Sequence, residues 1–388
     1  MKFAALLASL LIGTAAAIAA EPVRGVTDTE IAIGTATDLS GVAAVQGVNN
    51  ADAIRMAFDE ANARGGVHGR KIHFIVEDHE YTVPRAVQAI NKLLNRDNVF
   101  IILQQGGTPM NEATMPMMFE KGVPDVFPLT AARSMYEPFN HMKFGMFASY
   151  YDQMRSGVKY FVEHKGKHAI CAMYQDSDFG KDVLAGVIEE TRALKMDVVA
   201  TTAHKPTDTD FNAALAKLRD ANCDLIATGT IVRDTTQILA TAKKMGWNVD
   251  FLGQFASYST AVATAPGGIA EGYYAMSPGL YAYPDDPRPE VRKFAADYKA
   301  RYGRDPNFLG EMGYTAAQLV LLALDRAGPN LTADSFIGGI ESIKDYHDIF
   351  GSPPLSFGPN QHHGSNQSFL SVVRNGRWVA AEAEPLGY

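Results

Sequence analysis

The chain has 388 residues, 47% of them hydrophobic and 20% charged, which is typical of a globular protein long enough for two domains. The formal net charge is −8, which argues against a nucleic-acid partner because phosphate binding needs a basic surface. Only two cysteines occur, too few for a disulfide scaffold, and no Cys/His spacing suggests a zinc site.

Residues 1–20 predict a secretory signal peptide. Lys2 supplies a single positive charge, residues 3–12 form an apolar segment, and Ala17-Ile18-Ala19 is a cleavage site of the small-x-small type. The apolar segment is too short and too rich in alanine for a membrane anchor. We therefore expect a mature monomer in the periplasm that does not insert into the membrane.

Strands and helices alternate through the first part of the chain. Apolar runs predict strands at 31–35, 72–76, 99–103 and 125–127. Helical spacing predicts helices at 51–63, 83–94 and 108–121. This alternation favours a doubly wound, mostly parallel sheet.

A second alternating unit follows a crossing segment at 144–149. Its predicted helices lie at 151–164, 180–194, 210–221 and 235–245, and its predicted strands at 169–174, 198–201, 224–228 and 251–253. Two further helices are predicted at 289–302 and 308–327. The chain then ends in a β-ribbon at 355–357, 369–373 and 377–380, with a tight turn at Asn375-Gly376.

Two neighbouring strands of the first unit end in small and hydroxyl residues. The strand at 99–103 leads into Gly106-Gly107-Thr108, where a helix starts, and the strand at 125–127 ends at Pro128-Leu129-Thr130-Ala131. Ligands of open parallel sheets bind at the carboxyl ends of the strands. We expect free backbone N–H groups at this edge, and a helix start favours an anionic group.

The cysteines, Cys171 and Cys223, both lie in or before apolar runs of the second unit. A disulfide is possible in an oxidising compartment, but two buried thiols are the preferred expectation because the core is large enough to be stable without a cross-link.

A series of short motifs in this order resembles the leucine/isoleucine/valine-binding family of periplasmic solute receptors, which serve ABC importers. The motifs are Asp38-Leu-Ser-Gly41, Gly65-Gly-Val-His-Gly-Arg-Lys-Ile72, Pro128-Leu-Thr-Ala131, Tyr174 with Asp178-Phe-Gly180, Thr209-Asp-Phe211, Phe251-Leu-Gly253 and Tyr314-Thr-Ala-Ala317.

The resemblance implies an α/β periplasmic-binding-protein fold of type I, with two lobes, each a doubly wound and mostly parallel sheet, joined by three crossovers. Lobe one would comprise residues 28–147 and 280–345, and lobe two residues 148–279 and 346–388. The crossings would lie near Ala148, Pro278 and Phe350. The ligand would lie between the lobes, and a membrane permease of an ABC importer would be the partner.

The resemblance also implies which residues bind the ligand. Lobe-one hydroxyl and N–H groups would hold a carboxylate at Gly107 and Thr108, and at Leu129, Thr130 and Ala131. In lobe two, Phe179 stands where the family has a tyrosine that packs on the ligand. Phe255 stands where the family has an acidic residue that pairs with the ligand ammonium.

The phenylalanine at 255 changes the expected ligand, because burying an ammonium without a counter-charge is costly. We predict a small carboxylate without an α-ammonium group, such as a hydroxybenzoate or hydroxycinnamate. Phe179, Phe255, Tyr150 and Tyr258 would offer aromatic walls, and Arg233 a charge-assisted hydrogen bond.

Several alternatives remain open. A shift of register would let Asp234 or Asp250 act as the acid, which would restore a branched-chain or other amino-acid ligand. Phe179 is alternatively a core residue and Arg233 a solvated surface charge. His79 and Tyr81 could reach the rim, although a surface loop is preferred for both.

Other function classes are disfavoured. Neither a Gly-x-Gly-x-x-Gly motif after the first strand, a Gly-x-Ser-x-Gly elbow nor a P-loop occurs, so we expect no enzyme and no cofactor. A ligand-sensing module is a distant alternative, because such chains usually carry a membrane span or further domains.

Overall fold

A computed structural model describes residues 22–388. The predicted signal peptide at 1–20 lies outside the described residues. Within the described part, no helix has the length and apolar character that crossing a bilayer requires.

The first sheet has five strands, all parallel, in the order β2-β1-β3-β4-β5. Its strands are β1 (Glu30–Thr37), β2 (Lys71–Asp78), β3 (Ile101–Leu103), β4 (Asp125–Val126) and β5 (Lys143–Phe144). Helices α1 (Ala44–Ala63), α2 (Val83–Asn95) and α3 (Thr108–Glu120) connect the first four strands. The predicted doubly wound pattern is therefore present, and the predicted crossing segment begins with a short strand.

The second sheet has seven strands in the order β12-β11-β10-β9-β8-β6-β7. The strands are β6 (Ile170–Gln175), β7 (Ala200–His204), β8 (Leu225–Gly229), β9 (Asp250–Gly253), β10 (Tyr274–Ser277), β11 (Phe369–Arg374) and β12 (Arg377–Ala380). The pairs from β7 to β10 are parallel, whereas β10-β11 and β11-β12 are antiparallel. The terminal ribbon thus extends the second sheet.

The helices of the second lobe are α4 (Tyr150–Lys165), α5 (Asp178–Ala193), α6 (Asn212–Asp220), α7 (Val232–Lys244) and the short α8 (Thr260–Ala263). α4 starts with a capping box, in which Ser149 and Asp152 bond each other's backbone N–H groups. This cap fixes the position of Tyr150 at the point where the chain enters lobe two.

Three further helices return to the first lobe: α9 (Pro289–Tyr302), α10 (Phe308–Ala327) and α11 (Ala333–Glu341). α10 lies so close to α1 that a Cβ atom at Gly313 would come within 2.6 Å of the Asn50 carbonyl oxygen. Phe336 of α11 packs edge-on against Phe100, just before β3. The sequence patterns did not predict α11 or β10.

The last crossing between lobes occurs later than expected. Phe357 packs on Phe127 and Phe144, and Gly364 donates a backbone hydrogen bond to Gly145. Residues 346–364, assigned from the sequence to lobe two, therefore lie against the first lobe, and the chain reaches the second sheet only with β11. Apolar packing on the first sheet holds this segment.

Cys171 of β6 and Cys223, just before β8, form a disulfide. The expectation of two buried thiols is wrong. The two cysteines lie at the starts of neighbouring parallel strands, with Cα atoms 5.8 Å apart, a separation that suits a disulfide. Strand adjacency, which the chain order does not reveal, decides this pairing.

Candidate functional site

A cavity of about 490 Å³ of empty space lies between the lobes, at the carboxyl ends of both sheets. This is the place at which open parallel sheets bind ligands. The cavity is lined by Thr37, Asp38, Ala43, Gln46, Gly47, His79, Tyr81, Gly106, Gly107, Thr108, Leu129, Tyr150, Phe179, Ile231, Phe255, Ala256 and Leu309.

An aromatic wall from lobe two closes one side of the cavity. Tyr150 starts α4, Phe179 lies in the first turn of α5, and Phe255 follows β9. The Tyr150 ring is stacked on Phe255 with centroids 5.4 Å apart, and Phe179 meets Tyr150 edge-on at 4.8 Å. All three residues are nearly fully buried, so the wall is rigid and apolar.

A pair of threonine hydroxyls connects this wall with the lobe-one rim. The Thr108 hydroxyl lies 2.6 Å from the Thr130 hydroxyl, where either group can donate, and the Thr130 hydroxyl lies 3.4 Å from that of Tyr150. Burial raises the pKa of Tyr150, so its phenol remains neutral at pH 7. Of this chain of hydroxyls, Thr108 and Tyr150 line the cavity, and Thr130 is the link behind them.

The rim has fewer free backbone N–H groups than the sequence predicted. Gly106 donates to the Ala36 carbonyl at 2.9 Å, and Gly107 to the Leu129 carbonyl at 3.3 Å. Leu129 donates in turn to Gln105. These bonds join adjacent strand ends, so the expectation of a freely available N–H rim is wrong at these three residues. Gly107 caps α3 with a φ of +83°, a conformation that favours glycine.

The loop after β2 reaches the cavity through His79 and Tyr81. The His79 Nε2 lies 3.0 Å from the Gly106 carbonyl, and the Tyr81 N–H donates to His79 Nδ1 at 3.0 Å. This arrangement requires a neutral ring with its hydrogen on Nε2, and burial lowers the pKa of His79 in agreement. The preferred expectation of a surface loop is thus wrong, because His79 is a buried hydrogen-bonding link.

Asp38 is the one acidic side chain among the cavity-lining residues. Its carboxylate accepts the backbone N–H groups of Ser40, Gly41 and Ala43, at 3.2, 2.5 and 2.7 Å. A carboxylate offers about four acceptor positions, so these bonds leave little capacity for a ligand. The lining includes neither lysine nor arginine.

Arg233 and Tyr258 lie elsewhere. The Arg233 guanidinium bonds Asp234 through Nε at 2.8 Å and the Pro206 carbonyl at 2.6 Å. Tyr258 is buried beside Trp378, with its hydroxyl 3.2 Å from the Ser371 hydroxyl. The structure places neither side chain in the cavity.

Ala131 lies on the far side of the Thr108–Thr130 link, where its carbonyl accepts the Tyr150 N–H at 2.7 Å. The two alternative acids also have other partners. Asp234 pairs with Arg233 and His204, and Asp250 with Lys167 at 2.7 Å.

Sequence patterns did not predict six residues of the lobe-one lining, which are Thr37, Asp38, Ala43, Gln46, Gly47 and Leu309. Thr37 is the last residue of β1 and Asp38 follows it, so the rule that indicated the ends of β3 and β4 applied equally to them. Gln46 and Leu309 gave no such signal, because only the packing of α1 and α10 brings them to the cavity.

Direct contacts join the lobes around the cavity. The Gln46 Nε2 atom donates to the Ala256 carbonyl at 2.8 Å. The Arg133 Nε atom also donates across the lobes to Asp182 Oδ1 at 2.8 Å, and its guanidinium lies 3.9 Å from the Tyr151 ring centroid. The lobes are therefore in contact around the cavity.

Two lobes with mostly parallel sheets and a cavity between them define an α/β fold of the type I periplasmic-binding-protein class. The chain belongs to the periplasmic binding protein family, whose sequence pattern matches residues 30–377. The resemblance to leucine/isoleucine/valine-binding proteins is thereby confirmed.

Relatives and solved structures agree with this assignment. A leucine-, isoleucine-, valine-, threonine- and alanine-binding protein of Pseudomonas aeruginosa is 23% identical over 77% of this chain and 79% of its own. A fatty acid ABC transporter substrate-binding protein of Thermomonospora curvata is 26% identical, with a TM-score of 0.85 over 94% of each chain.

A branched-chain amino acid ABC transporter structure from Thermus thermophilus with bound valine has a TM-score of 0.84 at 18% identity, covering 93% of this chain and 97% of its own. The relatives are named as solute-binding proteins rather than enzymes. Within residues 22–388, no group of His, Cys, Asp and Glu side chains is placed to hold a metal ion.

Proposed function

We propose that this protein is an extracytoplasmic receptor for a small aromatic carboxylate, such as a hydroxybenzoate or hydroxycinnamate. It captures the ligand as the lobes close and delivers it, as a monomer in the periplasm, to the permease of an ABC importer. This role involves no chemical step and therefore needs no cofactor. The observation that carries the proposal is the aromatic wall formed by Tyr150, Phe179 and Phe255.

Flat apolar walls suit an aromatic ring, because aromatic contacts add stabilisation beyond the area that they bury. The lobe-two wall carries phenylalanine, not an acidic residue, at position 255. An α-ammonium group placed against this wall would lose its water without gaining a counter-charge. The side chains of Leu129, Ile231 and Leu309 add further apolar surface to the cavity lining.

Hydroxyl groups would hold the carboxylate. Thr108 and Tyr81 line the lobe-one side of the cavity, and burial raises the pKa of Tyr81, so its phenol is a neutral donor. Thr108 also begins α3, whose amino-terminal end favours negative charge. Asp38 also lines the cavity, but its oxygens already accept three backbone N–H groups, so the proposed binding mode gives it no ligand contact.

Asp38 also supports a second candidate, an amino-acid ligand. A carboxylate in the cavity could receive an ammonium group, and the Pseudomonas aeruginosa relative is named for amino acids. We rank this candidate lower because three backbone N–H groups already occupy the Asp38 oxygens. The Thermomonospora curvata protein is named for fatty acids, which adds this class of ligand to the test.

Isothermal titration calorimetry with three ligand sets tests the proposal. The sets are hydroxybenzoates and hydroxycinnamates, then leucine and valine, then unbranched alkanoates. We expect micromolar or tighter binding in the first set only. Heat from leucine or valine, with none from the aromatic acids, would overturn the aromatic assignment and favour the amino-acid candidate.

Matched threonine variants on α3 test the carboxylate position. Thr108→Val removes a hydroxyl at the cavity and should weaken aromatic-acid binding about tenfold, since a hydrogen bond to a charged group contributes about 1.5 kcal/mol. Thr114→Val removes a buried hydroxyl that bonds Met110 and Gln105 within lobe one, away from the cavity. It should lower the melting temperature but preserve affinity.

A further inference from the structure

A second cavity lies directly behind the aromatic wall. Its empty space is about 320 Å³, counting the part that is open to solvent, and Phe255 lines both this cavity and the one between the lobes. Phe147 and Pro278, which also line it, lie where the chain crosses from one lobe to the other. We call this space the hinge cavity.

The hinge cavity is apolar and adaptable. Met135, Met146 and Met312 line it, and none is more than 5% exposed. Methionine has an unbranched, flexible side chain that repacks around apolar groups of different shape. The Thr130 hydroxyl on this side is already bonded to Thr108. The chemistry of the lining therefore suits a hydrocarbon group and offers no counter-charge.

Phe255 is the one residue common to the linings of the two cavities. The Phe255 backbone is held in place because its N–H donates to Gln153 Oε1 at 3.0 Å, while its ring is stacked on Tyr150. Gln153 is itself anchored through Nε2 to the Ala148 carbonyl at 2.7 Å. The backbone at 255 is thus fixed, and the size of its side chain decides how deep the ligand cavity is.

We propose that Phe255 determines the length of ligand that the protein accepts, and that the hinge cavity is a subsite for the hydrocarbon tail of a longer carboxylate. The proposal rests on the proposed function in one respect, that the ligand lies between the lobes with its carboxylate toward lobe one. In the wild-type protein the Phe255 ring closes the subsite and selects short ligands. A smaller side chain joins the two cavities.

Calorimetry with Phe255→Ala and Phe255→Leu tests this assignment. Each protein is titrated with two series of increasing length, unbranched carboxylates and ω-phenyl carboxylates from two to eight methylenes, each with and without an α-ammonium group. In wild type, affinity should fall once the tail exceeds the cavity. In Phe255→Ala, affinity should instead rise by about fourfold for each methylene that enters the hinge cavity.

A second substitution identifies where the tail goes. Met312→Phe in the Phe255→Ala background fills the hinge cavity from α10 and should abolish the gain for long ligands. Equal length profiles in Phe255→Ala and wild type, in both head-group series, would overturn the proposal. So would a gain that persists after Met312→Phe.

Folding and head-group effects are kept separate. Phe255→Leu preserves most of the packing and should show a smaller gain in affinity for long ligands. It takes the place of Phe255→Ala in the test if the alanine variant is too unstable to assay. Because the ammonium series is measured in parallel, preference for amino acids would overturn the aromatic-acid function while the length profile still reports on Phe255.

Discussion

Arg133 offers a direct test of lobe closure, because its side chain extends from lobe one to two groups of lobe two. The Arg133 Nε atom lies 2.8 Å from Asp182 Oδ1, and its guanidinium lies 3.9 Å from the Tyr151 ring. Opening the cleft would break both contacts. Replacing Arg133 with methionine should therefore destabilise the closed form relative to the open one.

The magnitude follows from the partial burial of the pair. The side chains of Arg133 and Asp182 are 32% and 10% exposed, so the pair lies between a surface ion pair and a buried one. We expect a contribution of about 1–2 kcal/mol, after allowing for solvent screening. Since 1.4 kcal/mol corresponds to a factor of ten, ligand affinity should fall by about 5–30-fold.

Arg155 supplies a matched control within lobe two. Its Nε atom lies 2.8 Å from Glu190, and its guanidinium lies 3.8 Å from the Tyr388 ring. This pair joins α4 to α5 and does not cross the cleft. Arg155→Met should lower the melting temperature without weakening ligand binding.

The assay is calorimetric titration of wild type, Arg133→Met and Arg155→Met, with small-angle X-ray scattering of each protein without ligand. The Arg133→Met protein should be more open, and raising the NaCl concentration should weaken binding by wild type more than by this variant. Affinity that changes equally in the two variants, or in neither, would refute the closure role of Arg133.

Two further predictions concern pH. Burial, together with Asp178 and Asp182 across the cleft, raises the pKa of Glu112 in the closed form above its ordinary value of 4.5. Closure therefore takes up a proton, and binding should strengthen as pH falls through the raised pKa toward 4.5. In Glu112→Gln this pH dependence should be smaller, and an unchanged slope would contradict the assignment. Burial raises the pKa of Asp125 to about 7 against the opposing effect of Lys143, so ionisation of this carboxyl favours the unfolded chain. The free energy of unfolding should therefore fall as pH rises from 4 to 7, by at most about 4 kcal/mol. Urea unfolding of Asp125→Asn should lack this loss, and parallel pH profiles for variant and wild type would contradict it.

Local sequence patterns predicted most of the secondary structure, because helix and strand periodicity depends on neighbouring residues. The helices α9 and α10 have the predicted bounds, 289–302 and 308–327. Strand ends rich in small and hydroxyl residues also indicated Gly107, Thr108 and Leu129, which line the cavity. β10 escaped prediction because Tyr274-Ala-Met-Ser277 contains none of the β-branched residues that are typical of strands.

Local sequence patterns could not show which polar side chains are available to bind a ligand. Arg233 had the charge to bind a carboxylate, yet its guanidinium is held by Asp234, the next residue. His79 looked like a loop residue, yet its ring joins the ends of β2 and β3. In both cases the decisive fact is a hydrogen-bond partner, which the residue type leaves open.

The sequence by itself determined the alternating α/β architecture and, through its ordered motifs, the periplasmic binding protein family, since both depend on residue type and order along the chain. Only the tertiary structure decided which side chains share the cavity, that Cys171 pairs with Cys223, and that Phe255 lines two cavities. These features depend on distances between residues far apart in the chain, and such distances are set only when the helices and sheets pack.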